Sequence, residues 1–286
     1  MNLSIAFGLI VCLWRVPRLA AALQSSRLPP NAPRVPWSAT PKKYHGKPVS
    51  FARPSCSVRL AATPIASSVV DIGKTTPRQI STMEEWAATY GVQRAEGLQL
   101  TPTYSASNNN DDDDLQNQDM SVMTTQDLPA SSPVLSVPAG MVLYSLTAQQ
   151  EFSPMPDVDD LFEKVYGQHR LPYFYLFVKV LAEYQAGDQS PWYPWLNSLP
   201  RMFANGACLT FFCFECLPPL VRRLALQERT RFSQFFRALK YVPFLSDEIK
   251  NNRKLAKWAF AVVFTRSLEV GPGDVRIVPM ADMVRM

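Results

Sequence analysis

The chain has 286 residues, 47% apolar and 19% charged, which excludes a collagen-like or wholly unfolded polymer and allows at least one good core. Its net charge of +5 is concentrated at the start: nine of the 29 basic residues, from Arg15 to Arg59, lie in a first 70 residues without a single Asp or Glu. The remainder carries 20 basic against 24 acidic residues, a net of −4, so the basic total is no argument for a nucleic-acid partner and none is expected.

Leu3 to Trp14 is too short to cross a bilayer as a helix and has the length of a signal-peptide core, with the small residues Ala20, Ala21 and Ala22 after it. Residues 1–24 are therefore expected to be a signal-peptide-like segment. Residues 25–75, rich in Ser, Pro and Arg, are expected to be a disordered, transit-peptide-like leader. Signal followed by transit implies delivery to a plastid with extra membranes; the secretory pathway and the mitochondrion are the alternative destinations. No stable membrane span is expected once the leader is removed.

Near residue 76 the composition changes. Ile80 to Gly91 reads as a short helix, capped by Ser81 or Thr82 and stopped by Gly91. Gly97 to Thr101 is strand-like, and residues 105–118, with three Asn and four Asp in succession, form a solvated, disordered insertion. Ser131 to Leu146 predicts a short strand and its turn.

From Asp157 the apolar period becomes helical. Helices are predicted over 157–167, over 172–187 with Gly187 as the stop, twice between Cys208 and Ala238 around Pro218 and Pro219, and over 248–269. Trp192 to Leu199 is a proline-bounded aromatic segment. The turn Gly271-Pro272-Gly273 then leads into a terminal strand, 275–279. Of the five cysteines, Cys213 and Cys216 have a C-x-x-C spacing but lack the fourth ligand that tetrahedral zinc requires. They are read as buried helix residues, and no metal site is expected.

Strand and loop, then a long helical middle, then a return to strand is an unusual order for one domain. Five ordered pieces carry a family resemblance: Ala95-Glu96-Gly97-Leu98-Gln99-Leu100; Val134 to Pro138; Leu181-Ala182-Glu183 through Trp192, Trp195 and Leu199-Pro200; Trp258 to Arg266; and Ile277 to Met283. Together, over residues 78–286, they resemble the SET-domain protein-lysine methyltransferases of the Rubisco large-subunit methyltransferase-like class.

That resemblance implies an α+β fold: a split SET domain of short β-strands with a large all-helical insert. Its segments would be an N-terminal SET segment at 76–148, the helical insert at 149–270 and the start of the C-terminal SET segment at 271–286. It implies S-adenosylmethionine as cofactor and a protein lysine side chain as substrate. Glu96, Gly97 and Leu98 would lie against the adenosyl part of the cofactor, Arg266 would hold its carboxylate, and Asp282 would stand on the substrate side. The class continues past the Asp-Met pair into an Asn-His pair, a Tyr and a substrate-binding domain. The chain stops at Met286, so the expectation is a truncated, incomplete or inactive methyltransferase with no catalytic residue assigned. The alternative is a non-catalytic protein-binding module that retains the helical insert.

Overall fold

The computed structural model describes residues 68–102, 120–128, 133–152 and 154–283, all within one unit, Leu60–Met286. The expected signal segment, most of the expected transit leader, the polar insertion 105–118 and Val284 to Met286 lie outside the described residues.

The chain enters through helix α1 (Ile80–Thr89), followed by strands β1 (Gln93–Arg94), β2 (Leu98–Pro102), β3 (Met120–Thr124), β4 (Leu135–Ser136) and β5 (Leu143–Tyr144). Gln79, not Ser81 or Thr82, occupies the N-cap of α1 and caps with no side chain, because the helix starts one residue before the two hydroxyls. β1 pairs antiparallel with β4, and β2 with β3, where Leu100 faces Val122 in register.

A helical run follows: α2 (Ser145–Phe152), α3 (Pro156–Leu161) continued by a π-turn over Phe162–Tyr166, α4 (Leu171–Ala186), α5 (Tyr193–Ser198), α6 (Phe211–Glu215), α7 (Pro219–Ala238), α8 (Asp247–Asn251) and α9 (Arg253–Arg266). The helix predicted over 248–269 is two helices and a strand. Asn252 breaks it by turning its side chain to accept from the Leu255 amide, which caps α9. Ser267 leaves the helix because Ser267–Gly271 forms β6 against β7 (Asp274–Ile277). α2 was not foreseen; its mixed sequence SLTAQQEF has a weak apolar period, and packing against α4 holds it helical.

α4 is the centre of the core. Phe174 to Val178, Val180 and Leu181 are all at most 1% exposed, so the helix is buried nearly all round. The buried face of α9, with Leu255, Trp258, Phe260, Val262 and Val263, packs against it. Phe162, Phe174, Phe177, Phe235, Phe260 and Phe264 meet in tilted and edge-to-face pairs, the closest with centroids 4.3 Å apart.

The three-stranded sheet has the order β5-β7-β6, antiparallel throughout. β5 precedes the helical run and β6 and β7 follow it, so the sheet closes around some 120 intervening residues. Ser145 staples the two ends: its hydroxyl donates to the Gly273 carbonyl at 3.1 Å and accepts from the Val275 amide at 3.0 Å. The architecture is α+β.

Cys208 and Cys213 are half-buried and Cys216 is exposed, so they are not the buried helix residues expected. The helix that carries Cys213, α6, is only five residues long and lies at the surface with Phe211 and Phe212 about three quarters exposed.

Candidate functional site

Arg266 ends α9 and Asp282 follows β7 after a tight return. Met280 turns the chain back with φ +70, a left-handed conformation that is costly for a side chain bearing a Cβ. The return is held by the Asp282 amide donating to the Val278 carbonyl at 2.9 Å and the Met283 amide donating to Met280 at 3.2 Å. It delivers the Asp282 side chain into a fully buried position.

Three residues surround that carboxylate. Trp195 on α5, wholly buried, donates its indole N–H to Asp282 Oδ2 at 3.1 Å. Arg266 donates from Nη1 to the Asp282 backbone carbonyl at 2.6 Å, with the same nitrogen 4.0 Å from Oδ2. Arg78, ahead of α1, adds a favourable charge while its Nε donates to the Ser198 carbonyl at 2.7 Å. Among the described residues, Asp282 Oδ1 has no hydrogen-bond partner. Burial dominates and raises the Asp282 pKa above the ordinary carboxylate range, against the opposing pull of Arg266, Trp195 and Arg78.

Of the residues singled out from sequence, Arg266 and Asp282 are brought together. Trp195, expected as a packing aromatic, does pack edge-on against Trp192, yet its N–H also orients the buried acid. Arg78 carried no signal in the sequence, since a lone Arg before a helix has no motif to mark it.

Glu96, Gly97 and Leu98 stand in the turn that opens β2, held by hydrogen bonds within the hairpin. The Leu98 amide donates to Ala95, and the Thr125 amide donates to the Gly97 carbonyl at 2.9 Å. Gly97 has φ +80, and a Cβ there would lie 2.7 Å from the Thr125 hydroxyl and 2.9 Å from Gln126 Cγ. The close approach that this glycine permits is thus to the far end of its own hairpin. Glu96 is exposed and Leu98 half-buried. β3, the partner of β2, reaches the 3-10 turn Ala281–Met283, which is how the hairpin adjoins the Arg266–Asp282 pair.

The arrangement offers two ligand-holding functions. A guanidinium carries five N–H donors in a planar fork suited to a carboxylate, and one of those of Arg266 is committed to the Asp282 carbonyl. Asp282 Oδ1 is a buried acceptor lacking a donor, and an ammonium group would supply one. Among the described residues, no group of three or more His, Cys, Asp or Glu side chains is placed to hold a metal ion. Compared with models of known protein families and with curated proteins, the sequence matches none.

Proposed function

We propose that this chain belongs with the SET-type protein-lysine methyltransferases and binds S-adenosylmethionine, with Arg266 holding the carboxylate of the cofactor's amino-acid tail. Glu96 to Leu98 line its adenosyl side, and Asp282 faces the end where a substrate lysine enters. The observation that carries this reading is the split sheet. β5 from one side of the helical run and β6–β7 from the other complete a single antiparallel sheet, and Arg266 and Asp282 flank its last two strands.

The residues fit the two ligands in their chemistry: a guanidinium for the cofactor's carboxylate, and an orphaned buried acceptor for an N–H of the substrate amine. Bound, the cofactor would supply an electrophilic methyl on a sulfonium. The protein's part is to hold the two tails and the incoming amine in line. Within residues 68–283 the assigned roles are binding roles.

Isothermal titration of the full chain with S-adenosylmethionine tests the proposal. Saturable 1:1 binding is expected, weakened about tenfold or more in Arg266→Leu and less in Arg266→Lys, which keeps the charge but loses the fork. Thermal melting of each variant separates lost binding from lost folding. No saturable heat from the folded wild-type chain would overturn the assignment.

A further inference from the structure

A cluster of arginines that shares no residue with the Arg266–Asp282 pair lies on α7. This helix places Arg222, Arg223 and Arg231 along an open groove of about 770 Å³, with Arg170, from the turn before α4, on the facing wall. Arg222 and Arg223 are exposed, and Arg170 and Arg231 half-buried. Leu217 and Leu226 line the same groove, and Leu226 is 45% exposed.

The positive charge is only partly neutralised. Glu215 pairs with Arg222 at 2.9 Å, where both side chains are nearly half exposed and the pair is weak. Glu228 accepts from the Gly206 amide at 2.8 Å and is close enough to Arg231 to offset part of its charge. Glu269 accepts from Tyr173 at 3.2 Å. Arg170 is fixed in place by donating to Gln234 at 2.6 Å, and burial followed by the nearby Arg231 depresses its pKa. His169 beside it is also pushed down, by burial first and then by Arg170 and Arg231, with Glu269 pulling the other way. Two guanidiniums that raise each other's potential at a concave, half-buried wall form a place where an anion would lower the energy of the folded protein.

We propose that this groove is a docking site for an acidic peptide segment of a partner protein. The lining runs from Pro219 to Gln234 on α7, roughly 22 Å at the helical rise, which matches about seven residues of extended chain. The guanidinium forks take carboxylates, and Leu217 and Leu226 take apolar side chains between them. Among the described residues no aromatic side chain lines the groove for bases to stack on, which disfavours a single-stranded nucleic acid. A concave surface disfavours a bilayer. The site does not depend on methyl transfer: it shares no residue with the Arg266–Asp282 pair.

The test is fluorescence anisotropy with the full chain and a labelled seven-residue peptide alternating Glu and Leu. The same peptide with Gln for Glu, a labelled oligothymidine and phosphatidylserine vesicles are the comparisons. The acidic peptide is expected to bind, at least about tenfold more tightly than the Gln peptide, and to weaken as salt rises from 50 to 200 mM, roughly a Debye-length effect. Arg222→Glu/Arg223→Glu should weaken it about tenfold or more, and Arg222→Gln/Arg223→Gln by less, with unchanged melting temperatures because both residues are exposed. No binding of the acidic peptide, equal binding of the Gln peptide, indifference to both double variants, or tighter binding of oligothymidine or vesicles would each overturn the proposal.

Discussion

Replacing Trp195 by Phe keeps an aromatic ring in the core and deletes one donor. In the native chain that donor is the indole N–H on Asp282 Oδ2 at 3.1 Å, and the other carboxylate oxygen has no partner among the described residues. Leaving the buried Oδ2 acceptor without its donor costs about 1–3 kcal/mol, and the smaller ring in a wholly buried site adds about 1 kcal/mol of lost packing. The expected loss at pH 7 is therefore about 3 kcal/mol, or roughly 6–12 °C in melting temperature for a unit of this size.

Calorimetric or circular-dichroism melts of Trp195→Phe, Asp282→Leu and the double variant isolate the contact. Their coupling energy should be about 1–3 kcal/mol, and a value below about 0.5 kcal/mol would refute the claim that Trp195 holds the buried acid. The pH dependence has a definite sign. Burial raises the Asp282 pKa, so the protonated acid favours the folded state and that stability is lost as pH rises through the folded value. Trp195 favours the ionised form; without it the pKa climbs further, and the deficit of Trp195→Phe should shrink on acidification.

Lys179 on α4 bonds both oxygens of Glu151 at 2.8 Å and approaches Glu183 at 2.6 Å, all three side chains being less than a quarter exposed. Burial works against its ammonium, but Glu183 and Glu151 outweigh it and raise the pKa, so the contribution is full at neutral pH and fades only as pH rises through that elevated value. Lys179→Met should cost about 3 kcal/mol in urea unfolding at pH 7; a loss under about 1 kcal/mol would count against a buried network. Gly206→Ala should cost about 1–3 kcal/mol, because its Cβ would lie 2.6 Å from the Ala225 carbonyl oxygen and 2.8 Å from its Cα, both backbone atoms of α7. A melting temperature within one or two degrees of the wild type, about half a kcal/mol, would show that α7 shifts freely.

Much of the helical middle was legible because its signals are local. Gly187 stops α4, Pro219 opens α7, and the apolar runs of α4 and α9 belong to helices that bury almost every side. The Gly271–Gly273 turn and a strand after it were likewise legible, though not the strand before it. Local signals also misled: the helical reading over 248–269 carried on past the end of its apolar stripe, and only the partner strand 274–277 decided that Ser267 to Gly271 is extended. Asn252 read as an interior helix residue until its side chain was seen capping the next helix.

The candidate sites divide in the same way. Arg266 and Asp282 stand 16 residues apart in two separate pieces of the family resemblance, and Met280 with its left-handed turn completes their approach. Trp195 reaches Asp282 across 87 residues, and Arg78 is anchored to Ser198 across 120. The arginines of the groove come from a helix and a turn that meet only when α4 and α7 pack. By itself the sequence determined the charge balance, the helical stops and the residue types available for anion or amine recognition, because these depend on composition and neighbours along the chain. Tertiary structure alone decided which strand completes the sheet, which acid is buried and which guanidiniums share a wall. Those outcomes come from burying apolar faces, a condition imposed by the whole core and not by any one segment.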